Sequence, residues 1–65
     1  MKLKQIRTTD GIKCGGNTET AFDAGNYIII YDGKNKWVTI ASLRLPTLIT
    51  YVPISQVVFM IPVTE

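Results

Sequence analysis

Nowhere in the chain do apolar residues recur at the spacing of an amphipathic helix. Short runs of β-branched and aromatic residues instead alternate with turn residues, the signature of a small all-β barrel or sandwich. "KLKQIRTT" reads as a first strand, with Asp10-Gly11 as a two-residue hairpin signal. "IKC" then opens a second strand, which Gly15-Gly16-Asn17 breaks as a bulge or barrel corner would. "TETAFDAGN" reads as a strand end followed by a loop; a short helical turn there would be stopped by Gly25. Tyr27 to Tyr31 and Lys36 to Ala41 are strands, joined by a turn around Asp32-Gly33-Lys34-Asn35. Pro46 cannot donate to a ladder, so a new element, "TLITYV", is expected after it. Pro53-Ile54-Ser55 predicts a tight 3₁₀ corner before the closing strand "QVVFMI", which Pro62 ends or edges.

Two of these strands are apolar on both faces. Tyr27, Ile29 and Tyr31 share one side, Ile28 and Ile30 the other; in the last strand Val57, Phe59 and Ile61 oppose Val58 and Met60. A half-exposed strand would alternate apolar with polar. Strands apolar on both faces are covered on both sides, and a barrel this small has one inside. The second cover is expected to be another subunit or a partner, the plain alternative being a monomer with an apolar skin.

Length sharpens that expectation. A chain of 65 residues is one domain, and it buries only roughly 60% of the surface its unfolded form exposes. Domains of this size are usually stapled by disulfides, a metal or oligomerisation. Cys14 is the one cysteine and there is no histidine, so neither an intrachain disulfide nor a structural zinc site has its residues. Oligomerisation is left. Composition agrees: 18% of residues are charged, against about 25% in an average soluble domain. Between Tyr27 and Val63 the charges are Asp32, Lys34, Lys36 and Arg44, all at expected turns or strand ends. The net charge of +2 is compatible with nucleic acid but falls far short of a basic tail. "MKLKQIR" is not followed by the apolar core of a signal peptide, and the run Val57 to Val63 is far shorter than the about 20 residues a spanning helix needs. A soluble cytoplasmic protein without a membrane partner is expected, and a lone reduced cysteine suits that compartment.

Short strands, a bend at glycines and a proline-marked 3₁₀ corner before the final strand describe an SH3-like small barrel. Within that group the chain resembles the Sm/LSm family, which includes bacterial Hfq. "GNTETAFDAGNYIII" offers Gly16, Phe22, Asp23 and Asn26 leading into Ile28 to Ile30, similar to the first Sm motif. "YVPISQVVFMIPV" is similar to the family's fourth strand, 3₁₀ link and fifth strand. There are departures. Gly16 to Phe22 is one residue longer than the family spacing and Asp23 to Asn26 one shorter, while the Arg-Gly or Lys-His pair of the second motif and the N-terminal helix are missing. The size and divergence fit a phage-borne member. The resemblance implies an SH3-like or Sm-like barrel of five to six short antiparallel strands, assembled as a homo-oligomeric ring of about five to seven copies. In such rings the last strand of one subunit pairs with the preceding strand of its neighbour, which here makes Tyr51, Val57, Val58, Phe59, Met60 and Ile61 the interface residues. It also implies that Asp23 and Asn26 belong to a loop contacting RNA bases.

No catalytic constellation is visible. Cys14 has no histidine to activate it, and Asp10 and Asp23 each have a turn role that accounts for them. Gly15-Gly16 lacks the Lys-Ser/Thr and helix of a phosphate loop. The chain is read as a non-enzyme without a cofactor or metal. Binders of single-stranded nucleic acid combine stacking aromatics with cations and polar loop side chains. Candidates are Asp23, Asn26, Tyr27, Lys34, Lys36 and Arg44, with Trp37 beside the lysine turn. Ordinary roles compete at each: Lys34 and Lys36 as solvated turn residues, Trp37 as core, Arg44 as a solubilising loop residue, Asn26 as a turn former. Lys2, Lys4, Arg7 and Lys13 form the densest basic region, a small charge that repetition around a ring would multiply. Sm-like binding of single-stranded RNA or DNA is the expected function. The rival is a structural or protein-interaction subunit, a phage or bacterial assembly component or an inhibitor, using its apolar strand surface.

Overall fold

The computed structural model describes residues 1–64 and is all-β, with one 3₁₀ turn. Six strands follow in order: β1 (Leu3–Cys14), β2 (Asn17–Asp23), β3 (Tyr27–Asp32), β4 (Trp37–Ser42), β5 (Leu45–Pro53) and β6 (Val57–Pro62). The 3₁₀ turn, Ile54–Gln56, lies between β5 and β6, within a residue of the corner expected at Pro53-Ile54-Ser55. Two antiparallel three-stranded sheets result, in the orders β2-β1-β6 and β3-β4-β5.

The first hairpin turns at a different place from the one expected. Asp10-Gly11 is not a turn; it lies inside β1, a single strand of 12 residues. The turn is Gly15-Gly16, with Cys14 opposite Asn17 and φ of +59° and +87° at the two glycines. A two-residue hairpin loop of this kind needs positive φ at both central positions, and two glycines meet that without steric cost. Asp10-Gly11 becomes a bulge instead. The register passes from Arg7↔Ala21 to Ile12↔Glu19, leaving four β1 residues against Thr20 alone. The Thr8 hydroxyl secures it by donating to the Asp10 carbonyl at 2.7 Å. "TETAFD" is accordingly the paired arm of a hairpin rather than a strand end.

Smaller shifts have the same origin. β5 begins at Leu45, before Pro46, and the register jump between Ser42↔Leu45 and Ala41↔Ile49 bulges Pro46, Thr47 and Leu48 out of the edge. An edge bulge is where a strand tolerates proline. In β6 the partners run Arg7↔Phe59 and then Thr8↔Val57, so Val58 is a bulge. That extra residue switches faces: Val57 and Met60 both pack on the core, and Val58, Phe59 and Ile61 are exposed. The strict alternation of Val57, Phe59 and Ile61 against Val58 and Met60 is therefore broken.

The two sheets face each other across one core of Leu3, Ile6, Cys14, Phe22, Tyr27, Ile29, Val38, Ile40 and Val52. Each fully buried Val, Leu, Ile or Phe contributes roughly 1.5–3 kcal/mol. Backbone links tie the sheets at their corners. Lys2 bridges Ile30 and the Tyr31 N–H donates to the Met1 carbonyl at 2.8 Å, while the Ile54 N–H, donating to the Lys36 carbonyl at 3.0 Å, extends the β4-β5 ladder within one sheet.

The outer face of β3-β4-β5 is apolar and open in the single chain. Ile28, Ala41 and Ile49 are level on it, as are Ile30, Thr39 and Tyr51. Ile28 is 42% exposed, Ile49 50% and Tyr51 55%. β5 and β6 each pair on one side only among the described residues. None of the described residues forms a helix long and apolar enough to cross a membrane.

Candidate nucleic-acid interface

Three turns converge at one end of the molecule: Gly15-Gly16, Ala24 to Asn26, and Leu43-Arg44. Between them lies a cleft of about 540 Å³, lined by the glycine turn with Asn17 and Glu19, by Asn26 and Tyr27, and by Ser42, Leu43 and Arg44. Backbone bonds hold the rim. The Gly25 N–H donates to Asp23 Oδ1 at 2.9 Å and the Asn26 N–H to the Asp23 carbonyl at 3.2 Å, an Asx turn. The Leu43 N–H donates to the Asn26 carbonyl at 3.1 Å, joining the second and third turns. The glycine turn lies so close to β4 that a Cβ on Gly15 would sit 2.7 Å from Ser42 Cβ.

Tyr27 connects this cleft to the core. Its ring packs edge-on to Phe22, with centroids 4.9 Å apart, and its hydroxyl donates to Glu19 Oε2 at 2.6 Å. That bond, then burial and the Glu19 charge, hold the Tyr27 hydroxyl above its usual pKa of 10.0, against an opposing hydrogen bond from Asn17. A folded-state pKa above the unfolded one favours the native protein below the unfolded value, and the gain is lost as pH rises through the folded pKa. Stability should therefore fall more steeply above about pH 10 in the wild type than in Tyr27→Phe. Denaturant midpoints taken across that range check it; parallel curves would show that the pair is not formed.

The expected binding residues divide into two groups. Asn26, Tyr27 and Arg44 line the cleft. Asp23 shapes its rim through the Asx turn without lining it. Lys34 and Lys36 lie at the far end of the β3-β4 hairpin, beyond Asp32↔Trp37, while the cleft adjoins Tyr27↔Ser42. Five residue steps separate those two pairs, about 17 Å along the strands. At that end the Asp32 carboxylate accepts from Asn35 Nδ2 at 2.7 Å and from the Asn35 and Lys34 N–H groups, which hold it below the usual carboxylate pKa. Lys36 closes the turn at φ +58°. Trp37 is half-buried and packs edge-on to Tyr51 at 4.8 Å.

Asn17, Glu19, Ser42 and Leu43 belong to the cleft and were not legible as site residues. They are ordinary strand-end residues in sequence, and a cleft between three turns exists only once the turns are folded together. Cys14 is buried, its Sγ donating to the Ile40 carbonyl at 3.6 Å. Among the described residues no group of three His, Cys, Asp or Glu side chains is placed to hold a metal. Lys4, Arg7 and Lys13 are exposed along β1, and Lys2 is exposed just before it. Comparison with known proteins adds no relative: no family model, curated protein or solved structure matches this chain.

Proposed function

We propose that the chain is a subunit of an Sm-like or SH3-like homo-oligomeric ring that binds single-stranded RNA or DNA at the three-turn cleft. The observation that carries the binding reading is the cleft itself, where polar side chains, an aromatic hydroxyl and an arginine meet in a space large enough for a nucleotide. The order of elements supports the barrel: first and last strands are paired, and a 3₁₀ turn precedes the last strand. The final strand is the sixth, against the fifth in the family pattern; treating β2 and β3 as one strand broken at Ala24 to Asn26 restores the count. On that count the Asp23–Asn26 turn is a mid-strand kink, so the cleft supports the reading better than the motif spacing does.

Assembly is supported by β5 and β6, two of the four edge strands. β5 and β6 offer unpaired backbone edges flanked by exposed Tyr51, Val58, Phe59 and Ile61, and such edges invite pairing with another chain. The rival reading, a protein-interaction subunit, is favoured by the open apolar face of β3-β4-β5.

Salt separates them. Binding of a fluorescent single-stranded oligonucleotide should weaken steeply with salt, because phosphate contacts release counterions, whereas apolar docking does not weaken. Arg44→Ala should lower affinity and reduce the salt slope by about one per contact made, and Lys34→Ala/Lys36→Ala should have the smaller effect. Binding that is absent, or insensitive to both salt and Arg44→Ala, would leave the interaction-subunit reading.

A further inference from the structure

We infer that the cleft selects guanine among the four bases, with Glu19 as the specificity-determining residue. The inference rests on the nucleic-acid reading of the same cleft and goes beyond it by naming the base. A carboxylate is a poor lining for a site that holds only phosphate, since like charges repel. Here Glu19 projects from β2 into the cleft, and Tyr27 anchors one of its oxygens at 2.6 Å. Each carboxylate oxygen can accept more than one hydrogen bond. The anchored group therefore presents a fixed pair of acceptors and no donor.

Base chemistry then discriminates. Guanine carries N1–H and N2–H₂ side by side, two parallel donors that match a carboxylate. Adenine and cytosine each place one amino group beside a ring-nitrogen acceptor, which faces the carboxylate unfavourably. Uracil flanks its single N3–H with two carbonyls. The remaining lining fits the rest of a guanine nucleotide. The Asn17 and Asn26 amides can donate to O6 and N7, Leu43 supplies an exposed apolar surface, and exposed Arg44 can meet the phosphate. No Cβ narrows the cleft at Gly16, where an added one would meet nothing within 4 Å.

The test is an NMR titration of the full chain with guanosine, adenosine, cytidine and uridine monophosphates. Guanosine monophosphate should bind about tenfold or more tighter than the other three and shift the Asn17 and Asn26 amides. Glu19→Gln, a substitution at an exposed position, should remove that preference, and Arg44→Ala should weaken all four nucleotides alike. Equal binding of the four, or a guanine preference that survives Glu19→Gln, overturns the inference. A guanine-free oligouridine run beside them separates the two readings. If it binds in a salt-sensitive way while guanine shows no advantage, the base assignment alone fails. If neither it nor any mononucleotide binds, the nucleic-acid reading fails as well.

Discussion

Phe22→Ala should leave little folded protein. Phe22 is 1% exposed, sits on β2 opposite Ile6, and carries the edge-on contact to Tyr27. Truncating a buried phenylalanine costs about 3–5 kcal/mol in lost transfer energy and residual cavity. A domain of this length has in total about 3–10 kcal/mol, and small chains lie toward the low end. The loss is thus comparable with the whole stability. Urea titration followed by circular dichroism should show the midpoint falling toward zero denaturant. Phe22→Leu should cost about 1–1.5 kcal/mol and keep the fold. A wild-type midpoint in Phe22→Ala would mean that the two sheets do not share this core. Because Phe22 supports Tyr27, the cleft should disappear with the fold rather than independently of it.

The second large effect is on assembly. Tyr51→Lys, Val58→Lys and their combination should each reduce the native mass, measured by light scattering on a sizing column, to that of the 7.2 kDa chain. Both side chains are more than half exposed and lie outside the core, so the fold should persist. An ammonium group placed in an apolar subunit contact has no partner, and the desolvation cost is several kcal/mol. In a seam of standard size, roughly 800 Å² per partner, each 1.4 kcal/mol lost weakens association about tenfold. Removing the chain from Gln56 onward is a poorer test, since β6 pairs with β1 and supplies Val57 and Met60 to the core. Its loss would unfold the domain before it could report on edge pairing. A wild-type mass of one chain, or variants that keep a multi-subunit mass, would overturn edge pairing through β5 and β6. The first of these results would leave the open face of β3-β4-β5 as a docking surface.

A larger share of the fold than of the site was readable from residues. Tyr27–Asp32 and Trp37–Ser42 lie within a residue of where their β-branched runs placed them, and the Asp32 turn and 3₁₀ corner are where their residue types demanded. The cleft was half readable. Asn26, Tyr27 and Arg44 stood out as polar or aromatic residues near turns, but Glu19 looked like any solvated strand residue. Its significance comes from a 2.6 Å contact with a residue on another strand.

What the sequence by itself determined is local: all-β character, most strand bounds, and the turns whose glycine, proline and aspartate chemistry admits few conformations. These follow from φ/ψ preferences and from hydrogen bonds within a few residues. Tertiary structure decided which of two competing turn signals closes the first hairpin, where bulges reverse a strand's faces, and which loops meet at the cleft. Gly15-Gly16 prevails over Asp10-Gly11 because its register lets Ile6 and Phe22 face each other in the core. The bulge at Val58 lets Val57 and Met60 both point inward. In each case the deciding energy is burial against a distant strand, which no local pattern contains.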